Sequence, residues 1–476
     1  MVKTICGELK YNNKKYYFNF KDDIITIQPK KMVNYSRWWF NYLGNEDNFS
    51  DNKINIEGVT SNGNYICFVH VRLRQIGSGV MQSFVPAYIL GNSNNYDSLP
   101  KCKKIQKMTF EGRVLDKFCH PKRCVEYGNL YDKSDLTIKV NYDKLNVKKF
   151  IINKNEYSYD TGYNFPGNTD LNNVLSVRTL LKITFNTPKN INEIINYYKN
   201  VEKFFCFINN RRIIEFSNIK LTKRGKVSVG LEKVEDIDFT FTLHVAKTSE
   251  KIDLSEDLDY VRIDDISDNY IKLYQNIIKD DFYIEHYPFN RSDASYINNS
   301  KYTQLSSAFE SEFGKLFPSF KSNINEAYNL VKKKLLNYTK KQIRSLSNGN
   351  VKVPASLVRK EQKYYQYFYK VLENIDGNLE EKIGYAFNRY TKALETKRNL
   401  LLKNYNIPKI KNGILAKSFA DRRNGKMHGM PIGSFSDEEV ISYELVKECV
   451  YCLTLERCGF SLEEIEKIVN KIFYNF

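Results

Sequence analysis

The chain has 476 residues, 42% of them hydrophobic, with 73 Lys and Arg against 55 Asp and Glu and a formal net charge of +18. That length exceeds one ordinary core and predicts two or three domains, and the apolar fraction excludes a chain too polar to fold. The basic balance points to an anionic partner, nucleic acid before membrane, and the absence of an apolar signal core or of any run near membrane-span length predicts a cytoplasmic protein with no membrane partner.

Residues 1–145 are predicted as a β-rich N-terminal domain. Runs at 16–20, 23–28, 54–60, 65–73 and 136–142 alternate in polarity or are β-branched and aromatic, with Asn, Gly and Asp between them. A sandwich or barrel-like packing is the simplest arrangement. Residues 146–294 read as an α+β middle region. Ile191, Ile194, Ile195, Tyr198, Val201 and Phe205 recur there at helical spacing, and strand-like runs follow at 211–221, 226–234 and 239–247. The acidic stretch 254–268 reads as a linker or a solvated edge. Residues 295–476 are helical throughout, with amphipathic stretches at 305–317, 324–343, 363–375, 379–402 and 413–424. Ser436 and the acids behind it open a further helix to about Arg457, Gly459 stops it, and Ser461 starts the last one. The expected fold class is multidomain α+β: a β-rich N-terminal half and a C-terminal all-α bundle.

Charge is uneven within the helical region. Between Lys321 and Lys360 stand ten basic residues, including Lys332, Lys333, Lys334, Lys340 and Lys341, against the single acid Glu326. Tyr338, Tyr364, Tyr365 and Tyr367 lie among or just beyond them. Cations for phosphates and rings for bases suit RNA. A solvated helix face above core aromatics is the plainer explanation of the same residues.

Chemistry concentrates in the stretch Asp421–Met430, which carries Arg422, Arg423, Asn424, Lys426 and one of only five histidines, His428. An imidazole titrates near neutral pH and can take or give a proton. A guanidinium stays charged and grips phosphate oxygens through parallel hydrogen bonds. Four residues separate Arg423 from His428, and Gly425 and Gly429 leave room for a phosphate to approach.

Arg423-Asn424 followed by His428-Gly429, near the end of a terminal helical bundle, resembles the motif of the HEPN superfamily of ribonuclease and nucleotide-binding domains. The layout of a β-rich N-terminal region before such a bundle resembles the ApeA type, associated with abortive-infection defence against bacteriophage. The resemblance implies a metal-independent endoribonuclease without cofactor, in which His428 transfers protons, Arg423 holds the scissile phosphate and Asn424 orients His428 or the phosphate. Arg422, Lys426 and the lysines at 332–334 and 340–341 would contact RNA, transfer RNA being one candidate. The site is usually composed between two bundles, so a homodimer or higher homo-oligomer follows, with the N-terminal half sensing a phage-derived trigger or restraining the nuclease. Arg422, separated from His428 by five residues, also fits the motif. Arg423 is preferred because Asn follows it, and an exchange of roles stays open. Two rival readings remain: a non-catalytic RNA- or nucleotide-binding module, and a structural protein whose basic surface docks an acidic partner.

Other constellations are weaker. The nine cysteines are an odd number scattered through the chain and read as reduced thiols. Cys119, His120 and Cys124, with Cys102 upstream, are the best metal candidate, but their spacing is irregular for zinc. Cys449 and Cys452 fall within a predicted amphipathic helix and read as small core residues. His70 and His244 alternate within predicted strands and read as structural, and nothing around His286 marks a site. No phosphate-binding glycine loop occurs, so no dependence on ATP is expected.

Overall fold

Alternating polarity organises the N-terminal half into strands β1 (Ile5–Tyr11), β2 (Lys14–Lys21), β3 (Ile24–Pro29), β4 (Ile54–Thr60), β5 (Tyr65–Val71), β6 (Arg74–Gly77), β7 (Val80–Phe84), β8 (Ala87–Gly91), β9 (Ile105–Glu111), β10 (Val125–Tyr127), β11 (Ile138–Val140), β12 (Lys149–Ile152), β13 (Asn155–Asn164), β14 (Ser176–Lys189), β15 (Asn218–Val229) and β16 (Lys233–Val245). Helices α1 (Arg113–Phe118), α2 (Ile191–Ile208), α3 (Ile263–Ile266) and α4 (Asn269–Lys279) accompany them. The computed structural model describes residues 4–11, 13–30, 53–77, 80–91, 104–120, 125–127, 138–140, 148–164, 176–229, 233–246, 261–266, 269–279, 283–289, 291–320, 326–348, 354–374, 379–427 and 433–473.

Local chemistry explains the hairpins. In β2, Tyr16, Phe18 and Phe20 point inward while Tyr17 and Lys21 face solvent. Asp22 and Asp23, both at positive φ (51° and 60°), form the two-residue turn into β3. Asn153 and Lys154 (51° and 66°) do the same between β12 and β13. Such turns match the right-handed twist of the strands they join. Gly7 is fixed by close approach: a Cβ there would lie 2.0 Å from the Val59 carbonyl of β4.

The strands pair in the order β12-β13-β14-β9-β15-β16-β8-β5-β4-β1-β2-β3-β7-β6, with β10 and β11 as a separate pair. β5 is buried from Tyr65 to Val69 without alternation because it is covered on both faces. Ile66 and Phe68 join a core with Leu9, Phe18, Ile25 and Met81, and α2 also packs against β5. Asn190 opens α2 with a capping box: its side chain accepts from the Glu193 N–H, and Glu193 returns the bond. The residues expected on the inner face of α2 are buried, and Phe204 and Phe205 meet Phe118 edge-on.

The sequence suggested a division near residue 145, yet hydrogen bonding runs across it. Strand β8 pairs with β16 over Phe241–Val245, and β9 sits between β14 and β15. The compact units are Met1–Phe282 and Tyr283–Phe476. Part of the stretch expected to be a linker, 254–268, lies outside the described residues. Its end forms α3, and α4 follows with Tyr270, Leu273, Tyr274 and Ile277 buried at helical spacing.

Every regular element described in the second unit is helical: α5 (Arg291–Ser295), α6 (Asn299–Leu316), α7 (Glu326–Ser347), α8 (Ala355–Asn374), α9 (Leu379–Arg389), α10 (Thr391–Asn404), α11 (Asn412–Met427), α12 (Asp437–Arg457) and α13 (Leu462–Phe473). The stretch 379–402, expected as one helix, breaks at Tyr390, whose hydroxyl donates to Glu456 of α12 at 2.7 Å. Rather than being amphipathic, α12 is buried on nearly every side, and α6, α9, α10, α11 and α13 pack around it. Cys449 and Cys452 are core residues there, their thiols pushed well up by burial. The polar residues of this helix have partners. Lys397 of α10 reaches Glu444 at 3.3 Å and Glu448 at 4.0 Å, and Arg457 meets buried Glu312 of α6 at 2.8 Å.

His286 lies in this unit, buried between Tyr283 and Tyr287. Burial, with the charge of Lys447 in addition, pushes its imidazole down to about 3. An unfolded histidine takes its proton near pH 6.5, so the buried one adds stability above that pH and loses it as pH falls from 6.5 toward 3. Melting of the full chain between pH 7.5 and 5 should show a loss of about 2 kcal/mol from this group, and His286→Phe should flatten that slope. An identical slope in the variant would refute the assignment.

Candidate active site

The two arginines of the motif follow each other on α11, and successive helical residues point about 100° apart. Leu415, Ala416, Phe419 and Ala420 form the buried stripe of α11. Arg422 stands three residues beyond Phe419 and seven beyond Leu415, so it falls on that stripe and is only 5% exposed. Arg423 turns outward.

Both Nη atoms of Arg422 are bound within the chain. Its Nη1 donates to Glu439 Oε2 at 3.2 Å and to the Ser434 carbonyl at 3.4 Å. Its Nη2 donates to Asn299 Oδ1 and to the Gly433 carbonyl, each at 3.1 Å. The guanidinium lies 4.0 Å from the centre of the Phe435 ring. Glu439 itself closes the capping box of α12 with Ser436. Beside them the Tyr302 ring stacks on Phe419 at 4.4 Å, and burial holds its hydroxyl above the usual range. Arg422 thus joins α11, α6 and the start of α12. The guanidinium expected to contact RNA is buried in the chain, with both of its Nη atoms bonded internally.

Arg423 differs. Its side chain is 29% exposed. Its Nη1 donates to Asn424 Oδ1 at 3.1 Å and its Nη2 to Glu310 Oε2 of α6 at 3.3 Å. A guanidinium carries five N–H donors, so these bonds leave donors for an incoming anion. Asn424 orients the arginine; the amide accepts from it and steers its plane. Gly425 and Lys426 continue the helix, and the Lys426 side chain lies outside what the structure describes. His428 lies outside the described residues. What is described are the two ends of its segment: Met427 ends α11, and Gly433, at the far end, is tied back to Arg422.

The lysine cluster sits on α7, which packs against α8. Lys333, Lys334, Lys340 and Lys341 are exposed and Lys332 partly so. Among them and across on α8 stand exposed rings, Tyr338, Tyr364, Tyr367 and Phe368, with Tyr364 65% open to solvent. These aromatics are not core residues, contrary to the plainer explanation of the pattern. Leu330, Val331, Leu335 and Leu357 are exposed on the same two helices. The weaker candidates are placed as follows. Cys102 and Cys124 lie outside the described residues, and among the described residues no group of three or more His, Cys, Asp or Glu could hold a metal ion. His70 takes up a positive φ of 56° where β5 bulges against β4, with its ring on Asn192 at 3.1 Å.

No protein-family model, no curated protein and no solved structure matches the chain. Among the described residues no helix is long and apolar enough to cross a membrane.

The sequence alone signalled the role of Arg422. The apolar stripe of α11, read through to its end, places Arg422 and not Arg423 on the buried face.

Proposed function

We propose that the helical unit is a HEPN-type endoribonuclease that cleaves RNA without a metal or other cofactor. The observation that carries this reading is the division of labour between adjacent arginines: Arg422 locks the bundle, and Arg423 presents a partly exposed guanidinium steered by Asn424 at the helix end that leads to His428. In this reading Arg423 exchanges its Glu310 contact for the scissile phosphate and meets the charge that develops on it. A base removes the proton of the 2′-hydroxyl, the 2′-oxygen bonds to phosphorus, and the bond to the 5′-oxygen breaks as that oxygen takes a proton. The products are a 2′,3′-cyclic phosphate and a 5′-hydroxyl. His428 supplies one proton transfer, and a second copy of the chain supplies the other, which makes the working form a homodimer.

The exposed lysines and rings of α7 and α8 support an RNA partner, transfer RNA among the candidates. The N-terminal unit would then sense a phage-derived trigger or restrain cleavage in the cytoplasm, as part of abortive-infection defence. The same lysine and aromatic surface also suits a module that binds RNA without cutting it. Purified full-length protein incubated with RNA in excess EDTA separates these. Cleavage to cyclic-phosphate ends is the expected result. Binding without cleavage favours the non-catalytic module, and cleavage that appears only with added magnesium overturns the metal-free mechanism.

A further inference from the structure

Strands β15 and β16 are neighbours through ten residue pairs, from Val229–Lys233 down to Lys220–Thr242. Beyond Thr242 they part. Asn218 and Ile219 of β15 go on only with β9, and β16 goes on to Val245 alongside β8. Helix α2 walls the wedge between them, leaving a cavity of about 270 Å³. That is near the lower end of the roughly 300–1,000 Å³ of small-molecule sites.

The lining is unlike the rest of this basic chain. Two acidic residues, Glu202 and Glu215, line the cavity together with Tyr198, Phe216 and His244. Glu202 Oε1 accepts from the Tyr198 hydroxyl at 2.7 Å, and Tyr198 meets Phe216 edge-on at 6.3 Å. His244 is held flat on Tyr88 at 4.6 Å, which fixes that wall. Burial raises the Glu202 carboxyl, while Lys199 and Lys203 on the same helix act against that shift. A desolvated carboxylate gains most from a cation it can meet at close range, and aromatic faces favour the same charge.

We infer that this cavity binds a small organic cation, an ammonium or guanidinium on an apolar body, with Glu202 and Glu215 meeting the charge and Tyr198 and Phe216 the body. The inference concerns the N-terminal unit and does not rest on the ribonuclease reading.

Calorimetric titration of the full chain with phenethylamine tests it, with 2-phenylethanol as the neutral isostere and 3-phenylpropionate as the anion. The amine should bind at least about tenfold more tightly than the alcohol, since a hydrogen bond to a charged group is worth about 1.5–3 kcal/mol. The acid should bind least. Glu202→Gln should lower amine affinity about tenfold and leave alcohol binding unchanged. If that variant does not fold, Glu215→Gln carries the same expectation. Equal binding of amine and alcohol, unaltered amine affinity in a folded variant, or no binding of the amine at millimolar concentration would each overturn the inference.

Discussion

Arg422→Ala should destabilise the helical unit by about 3–5 kcal/mol, the usual effect of removing one partner from a buried, hydrogen-bonded ion pair. The alanine leaves Glu439 facing a buried space, strips donors from the Gly433 and Ser434 carbonyls and from Asn299, and removes the plate that covers Phe435. For a unit of this size each kcal/mol moves the melting temperature by about 2–4 °C, so a drop of roughly 10 °C is expected. Arg422→Lys should recover little, because an ammonium can neither fork between two acceptors nor lie flat on the ring. Arg423→Ala is the control: its pair with Glu310 is solvent-exposed and worth about 1 kcal/mol or less. Equal melting of the Arg422→Ala and wild-type proteins would remove the structural role given to this side chain.

The second large effect is on chemistry. His428→Ala should lower the RNA cleavage rate by about a hundred- to ten-thousand-fold, the range of general acid–base catalysis, with the melting temperature held. Arg423→Ala should lose cleavage and part of the phosphate affinity as well, because in the proposed mechanism it removes the guanidinium that meets the scissile phosphate. RNA binding by His428→Ala should persist in good part if, as proposed, the exposed α7 lysines provide most of the long-range attraction. Rate and melting must be measured on the same preparation. A structural histidine gives the reverse pattern, a lowered melting temperature with activity that tracks the folded fraction. A wild-type rate in His428→Ala would end the assignment of cleavage to this motif.

Elements with strong local signals were legible in the sequence. Tyr16, Phe18 and Phe20 announce β2, the spacing of Ile191, Ile194, Ile195 and Tyr198 announces α2, and Ser436 and Glu439 announce α12. An antiparallel sheet region followed by a helical region was therefore readable. What could not be read is pairing at a distance. Nothing local to Ala87–Gly91 says that its neighbour will be Phe241–Val245, so a boundary near residue 145 looked natural where the sheet runs through. At the break at Tyr390 no Gly or Pro marks the site, and its hydroxyl bonds to Glu456, 66 residues away in sequence. Helix α4 was a different kind of miss, because Tyr270, Leu273, Tyr274 and Ile277 carried the period openly. At the site, residue types marked the motif, but only helical phase separated the arginine that holds the bundle from the one that faces outward.

The route of the sheet also sets a timetable for biosynthesis. Strand β8 ends at Gly91 and β16, which covers its free edge, begins at Lys233, about 140 residues later. At roughly 5–20 residues per second, the nascent chain leaves the ribosome with that edge open for on the order of ten seconds or more. An unpaired, apolar strand edge is a template for pairing with other chains. Chaperone dependence during translation, and aggregation of truncated products that end between Gly91 and Lys233, are the cost of a sheet whose middle is closed by one of its last strands.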